Sequence, residues 1–295
     1  MAGGISSVAD YHRATRHSRG RISPHHLDLS NCPAPFKTYD YLNKVHFPGA
    51  KPLLKTDLCA LFGKDPVNLP PQKLDLALIC QILTLGCGVR DAHMGGGIHW
   101  FFRTFPSAGG LHPCHVYTRV EGCKGIETGL YYCNMIQEFL GLIQKLSAIP
   151  GQSGTISFIV TVQIFKTTWK YRERGFRYLL LDTGHLIESL FLALKAMGLF
   201  PMVQYDFDDK ATSRILELDS DLEIPLAWIH GNQMPQGIDP EQTLKKQGPG
   251  ARPDPQLLFF LTRLEIVSHV EGAGIAQQFC LKFFCRAFEG VEPIT

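Results

Sequence analysis

Apolar positions crowd Thr155 to Phe165 (TISFIVTVQIF), where β-branched and aromatic residues follow one another with little interruption. Such a run predicts a strand lying centrally in a sheet. Leu74 to Leu85 (LDLALICQILTL) is apolar on nearly every side and is followed by Gly86 and Gly88, the pattern of a buried helix with a glycine stop. His115 to Val120 and Gly129 to Cys133 read as strands joined by the turn-rich Glu121 to Thr128. Residues 136 to 146 alternate as an amphipathic helix. Tyr178 to Met197 carries leucines on several faces and closes at Gly198, so it is expected to be a core helix entered through the polar, basic and aromatic run Lys166 to Arg177. Phe200 to Tyr205 follows as a short strand. The carboxylates of Asp208 and Asp209 are placed to cap a helix through Leu218, and Glu223 to His230 is a last strand. Long helices mixed with several β-rich runs argue for an α+β fold over a strictly alternating parallel one.

The flanks are different in character. Residues 8 to 18 read as a short polar helix, and residues 20 to 52 as an extended, proline-broken arm. That arm carries Phe36, Tyr39, Tyr41 and Phe47, aromatic area that must be buried against the body of the protein or a partner subunit. Cys87 to Gly97 reads as a loop. Residues 232 to 256 are rich in proline and glycine, a linker or wrapping arm, and residues 257 to 288 are apolar and partly helical, a packing or dimer-covering appendage. The expected organisation is therefore an N-terminal helix and arm (1–52), a central domain (53–232) and a linker with a C-terminal helical appendage (233–295).

Composition narrows the function classes. With 45% hydrophobic and 19% charged residues in 295, the chain is globular, and a formal net charge of +2 gives no electrostatic case for nucleic acid. The N-terminus lacks the apolar core of a signal peptide, and no run approaches the roughly 18 apolar residues of a membrane span, so no membrane partner and a cytoplasmic location are expected. Nine scattered cysteines without a Cys-x-x-Cys pair, and twelve histidines without a His-x-x-x-His spacing, argue against a metal site.

One stretch concentrates chemistry. Arg103-Thr104-Phe105-Pro106-Ser107-Ala108-Gly109-Gly110-Leu111-His112-Pro113 packs a cation, a hydroxyl, adjacent glycines and flanking prolines together. Pro106 and Pro113 fix φ, while Gly109 and Gly110 open positive φ and let the backbone approach a ligand with no Cβ in the way. The N–H groups of Ser107 to Gly110 can then converge on an acceptor. The plain alternative is a turn leading into the next strand, with Arg103 in a structural ion pair.

These blocks together resemble the SagB-type dehydrogenases of the FMN-dependent nitroreductase-like superfamily. Tyr11 to His17 with Pro35 to Tyr39 is similar to that family's N-terminal arm, and Arg103 to Pro113 to its Arg-Thr-x-Pro-Ser-Ala-Gly-(Gly/Ala)-Leu-Tyr-Pro signature, with His112 where tyrosine is usual. Lys170-Tyr171, Arg174, Arg177-Tyr178 and Gly184-His185 resemble the segment entering its long helix, and Gly198 to Gly231 its closing strand, helix and strand. The resemblance covers roughly residues 8 to 232. It implies an α+β fold with a nitroreductase-like mixed central sheet and flanking helices, FMN bound without a covalent bond, and a homodimer with the flavin near the subunit interface.

By the same resemblance, Arg103, Pro106, Ser107, Ala108, Gly109 and Gly110 are the flavin contacts, joined by Gln204 and Tyr205 where the family places a small turn beside the ring. The activity implied is oxidation of thiazoline or oxazoline rings in a modified peptide to thiazole or oxazole. Aromatising such a ring removes a hydride equivalent from one carbon and a proton from its neighbour, which needs a base. Lys170 and Tyr171 match the family's proton-transfer pair, with Arg172, Arg174 and Arg177 supplying positive charge that lowers a lysine's pKa, or else forming a solvated basic face. The arginine block that grips the FMN phosphate in relatives has no counterpart in Leu53 to Pro71, which leaves Arg103, Lys37 or a partner subunit's cation for that role. Two other readings remain: a nicotinamide-dependent FMN reductase of nitro or quinone compounds, and a non-catalytic flavin-binding subunit of a larger assembly.

Overall fold

A computed structural model gives the structure of this protein and describes residues 8–16, 26–39, 42–49, 73–95, 98–147 and 154–232. In chain order the helices are α1 (Val8–Thr15), α2 (Leu76–Cys87), α3 (Ile164–Tyr171), α4 (Gly175–Ala196) and α5 (Asp209–Ile215). The strands are β1 (Asn43–His46), β2 (Val89–Gly95), β3 (Ile98–Arg103), β4 (Cys114–Glu121), β5 (Gly129–Asn134), β6 (Phe139–Lys145), β7 (Thr155–Gln163), β8 (Phe200–Gln204) and β9 (Glu223–Asn232). Seven of them form one sheet in the order β1-β6-β5-β4-β7-β9-β8, and β2 with β3 makes a separate hairpin. Every pairing within the sheet is antiparallel. The α+β class and the central sheet with flanking helices are thus as expected, whereas the sheet, expected to be mixed, is antiparallel throughout among the described residues.

The apolar runs explain the layers. Val160, Val162, Ile156 and Phe158 of β7 are fully or almost fully buried and join one core with Leu78, Ile79, Ile82 and Leu83 of α2 and Leu179, Leu186, Ile187 and Leu190 of α4. A smaller cluster of Tyr117, Leu130, Tyr132, Ile159, Leu216 and Trp228 covers the other face, with Tyr39 and Leu42 of the arm packed against it. The described part of the arm therefore packs against the body with Phe36, Tyr39 and Phe47 half-buried, and through β1, which pairs with β6, it supplies an edge strand of the sheet.

Three further expectations are corrected. Residues 136 to 146, where a helix was expected, form the end of a turn and the strand β6. The Asn134 side chain accepts from the N–H groups of Ile136 and Gln137, and Glu138 adopts φ +52°, so a tight turn stops any helix and returns the chain beside β5. Cys87 to Gly97 is mostly strand, because β2 finds its partner in the aromatic run of β3, a pairing that periodicity within either segment cannot show. The helix expected from Tyr178 begins at Gly175, preceded by α3. A Cβ at Gly175 would stand 2.9 Å from backbone atoms of Thr167 and Thr168, so a glycine there lets α4 start against α3. Leu53 to Pro71, where the arginine block of relatives has no counterpart, and residues 233–295 lie outside the described residues.

One pairing positions the site. β4 and β7 are antiparallel neighbours with Cys114 opposite Val162, and Gln163 N–H donates to the Pro113 carbonyl at 2.9 Å. The loop that precedes β4 and the helix that follows β7 therefore emerge at the same end of the sheet.

Candidate functional site

The loop is built as a short 3-10 turn, Ala108–Gly110, with Gly109 at φ +64°, Gly110 at +67° and His112 at +45°. The carboxylate of Asp182, on α4 and 3% exposed, anchors it from below: Ser107 Oγ donates to Oδ2 at 2.5 Å and Ala108 N–H to Oδ1 at 2.9 Å. Burial raises the Asp182 pKa, and the hydrogen bonds from Ser107 and Ala108 oppose that shift. Ser107 Oγ also accepts from His112 N–H at 2.8 Å, and Gly110 N–H donates to the Ser107 carbonyl at 3.0 Å. The Ser107 hydroxyl and two of the N–H groups expected to face a ligand are thus spent in shaping the loop. Asp182 was missed because a single carboxylate in an apolar helix reads as an exposed position; the signal is that its neighbours Leu179 and Leu180 are core.

Lys170 and Tyr171, at the end of α3, are brought to this loop. A Cβ placed on Gly109 would lie 2.6 Å from Tyr171 Oη and 2.8 Å from Lys170 Nζ. Only glycine allows that approach, for reasons of space and of φ alike. Lys170 Nζ also stands 5.8 Å from the ring centre of Trp100 on β3, and Tyr171 packs against Tyr178 with ring centres 4.5 Å apart. Arg174 and Arg177, expected to crowd charge around Lys170, instead bind α1: both reach Thr15, Arg174 at the carbonyl and Arg177 at Oγ1 (2.8 Å), and Tyr11 Oη donates to the Glu173 carbonyl at 2.7 Å.

Arg103 ends β3 and lines a small solvent-open cleft with Pro35, Phe101, Gly110, Leu111 and His112. Its Nε is sealed from solvent without a hydrogen-bond partner. Pro106 is an exposed corner of the loop. Gln204 and Tyr205 are not gathered here: Gln204 lies opposite Trp228 on the edge strand β8, and its side chain meets the Asp206 carbonyl (2.6 Å) and His230 (3.0 Å). Three strand spacings separate β8 from β4, roughly 14 Å at about 4.8 Å each.

Behind the loop sits Lys166, 1% exposed, a residue that the sequence reading treated only as the start of a basic run. Its Nζ donates to the carbonyls of Pro35 (2.8 Å) and His112 (3.3 Å) and so ties the arm to the loop. Burial first, then the Arg103 charge, brings its pKa down to about 7, and the same two causes bring His112 down to about 3. A lysine whose pKa is lower in the folded than in the unfolded chain contributes stability that is complete above pH 10.5 and is lost as pH falls toward 7. Lys166→Met is therefore expected to flatten the rise in melting temperature between pH 7 and 10 that the unaltered protein shows in a thermal scan. The Lys37 side chain is committed elsewhere, to Glu223 at 2.8 Å and Tyr117 Oη at 2.9 Å. Burial pushes the thiols of Cys80, Cys87 and Cys114 up to about 12, so they stay protonated and are core residues, not nucleophiles. Among the described residues no helix is long and apolar enough to cross a membrane.

Comparison with known proteins agrees with the architecture. The model of the Nitroreductase family matches residues 134–231. A protein of Methanocaldococcus jannaschii named as a nitroreductase is 28% identical over 156 residues, 49% of this chain and 75% of its own length. The trifolitoxin-processing protein of Rhizobium leguminosarum bv. trifolii is 26% identical over 220 residues, 67% of this chain and 59% of its own. Among solved structures, one named as a nitroreductase from Anabaena variabilis superposes with a TM-score of 0.61 at 23% identity, covering 79% of this chain and 48% of that one. The fold is that of nitroreductases. The chain spans about half the length of the Anabaena protein and 59% of the trifolitoxin-processing protein.

Proposed function

We propose that the protein is an FMN-dependent oxidoreductase of SagB type that oxidises azoline rings of a modified peptide, with Lys170 and Tyr171 as its proton-transfer pair. The observation that carries this reading is the approach of Tyr171 Oη and Lys170 Nζ to Gly109, which puts a base and a phenol against the loop named for the flavin. Similarity to a protein named for processing trifolitoxin supports a substrate of that modified kind.

The residues present fit one polar end of a flavin. Arg103 offers a guanidinium donor whose Nε has no partner, and Phe101 offers apolar surface beside it. The cleft, about 20 Å³, is far smaller than the roughly 300–1,000 Å³ of a typical small-molecule site, so most of the cofactor would lie against further surface, which a second subunit of a homodimer would supply. When bound, FMN supplies a hydride acceptor. The chain's own part is to hold the ring near Gly109, to take the proton from the carbon next to the one that loses hydride, and to fix the loop through Asp182.

The test is the absorption spectrum of the purified protein followed by mass analysis of a thiazoline peptide. A yellow protein that releases FMN on heating and removes two hydrogens from each ring is expected. A colourless protein that FMN cannot restore overturns the reading in favour of a non-catalytic subunit. Nicotinamide consumption with nitro compounds and an untouched thiazoline overturns it in favour of a reductase.

A further inference from the structure

Lys166 is buried and Arg103 half-buried with its Nε sealed from solvent; their charges act on each other, and among the described residues neither belongs to an ion pair. The carboxylate that acts on Lys166 and the one beneath the loop are already taken. Glu223, which acts on Lys166, accepts from Lys37, from Tyr117 Oη at 3.0 Å and from Thr161 Oγ1 at 2.5 Å. Asp182 is taken by Ser107 and Ala108. The acceptors of Lys166 are neutral carbonyls, and Arg103 Nε has none. Charges buried in proteins are as a rule paired, since leaving water costs several kcal/mol per ion. Beside them, the His112 ring bonds the Phe101 backbone and leaves its Nδ1 buried with no partner. Arg103 and His112 line one small cleft open to solvent, with Pro35, Phe101, Gly110 and Leu111, and Lys166 lies behind it.

We propose that the cleft between Pro35 and Leu111 is a phosphate site, in which the Arg103 guanidinium binds the phosphate oxygens directly, Lys166 adds its charge from behind and His112 Nδ1 accepts from a phosphate hydroxyl. A planar guanidinium matches the spacing of phosphate oxygens, and a phosphate carries charge enough to balance both cations. The site goes beyond the flavin reading, because it asks only for a phosphate group, whether of a flavin mononucleotide or of another phosphorylated ligand.

The test is a thermal-shift titration of the full chain with inorganic phosphate against chloride at equal ionic strength, repeated with FMN and with riboflavin. Phosphate is expected to raise the melting temperature by several degrees, and Arg103→Met to abolish the shift while Arg103→Lys keeps part of it. No shift in the unaltered protein, or an equal shift in Arg103→Met, overturns the proposal. Should Arg103→Met fail to fold, Lys166→Met read by the same titration is expected to weaken phosphate about tenfold, and unchanged affinity overturns the site. FMN binding at least tenfold tighter than riboflavin assigns the phosphate to the flavin. A phosphate shift with no binding of either flavin keeps the site and ends the flavin reading, whereas equal binding of both flavins with no phosphate shift does the reverse.

Discussion

Lys170→Ala is expected to lower the rate of thiazoline oxidation by about 10²- to 10⁴-fold, the usual contribution of a positioned acid or base, while flavin content stays near that of the unaltered protein. The Lys170 side chain reaches the loop at Gly109 and lies over Trp100, and neither contact is a hydrogen bond that the fold depends on. The loss should therefore fall on turnover and leave peptide affinity and melting temperature little changed. Single-turnover bleaching of the flavin by a thiazoline peptide measures it, and bleaching at the unaltered rate would remove Lys170 as the base. Gly109→Ala serves as the geometric counterpart. Its methyl would meet Tyr171 Oη and Lys170 Nζ at 2.6 and 2.8 Å, at a φ of +64° that alanine adopts at a cost of about 1–2 kcal/mol. It should therefore lower activity by moving both side chains while leaving them chemically intact.

The second large effect falls on stability. Glu223→Ala is expected to cost about 3–5 kcal/mol in a urea titration, because its removal strips a buried carboxylate from three partners at once. Lys37, Tyr117 and Thr161 all bond it, and its side chain is 4% exposed. Lys37 also belongs to the arm, and its ammonium lies 5.1 Å from the ring centre of Tyr39. Loss of Glu223 should therefore loosen residues 33–39 as well as weaken the sheet, and limited proteolysis should cut there first. A cost below about 1 kcal/mol would mean that the network matters less than its burial implies.

How much of this was legible in the sequence depends on whether a feature is local. The β7 run and the helices α2 and α4 were readable because burial leaves its pattern in consecutive residues. β2 and β6 were not, since β2 becomes a strand only by pairing with the segment that follows it, and β6 through a turn made by one asparagine side chain. At the site, the glycines of the loop and the Lys170-Tyr171 pair were singled out separately, and the structure puts them in contact. The supporting residues escaped: Asp182 looks like one polar position in an apolar helix, and Lys166 like the first member of a basic run, until burial and partners distinguish them. The partners of Arg174 and Arg177 escaped for the same reason, because sequence counts charges but does not say that α1 lies across them.

The register that sets Cys114 opposite Val162 has a kinetic consequence. The two halves of the candidate site lie far apart in the chain, and they meet only when β4 zips against β7, a long-range closure of the kind that slows folding. A fragment ending before β7 thus contains the whole loop and no site. Conversely, any ligand held between the loop and α3 binds the closed form alone, so it acts as a staple on that pairing, with a stabilisation that grows with the logarithm of its concentration.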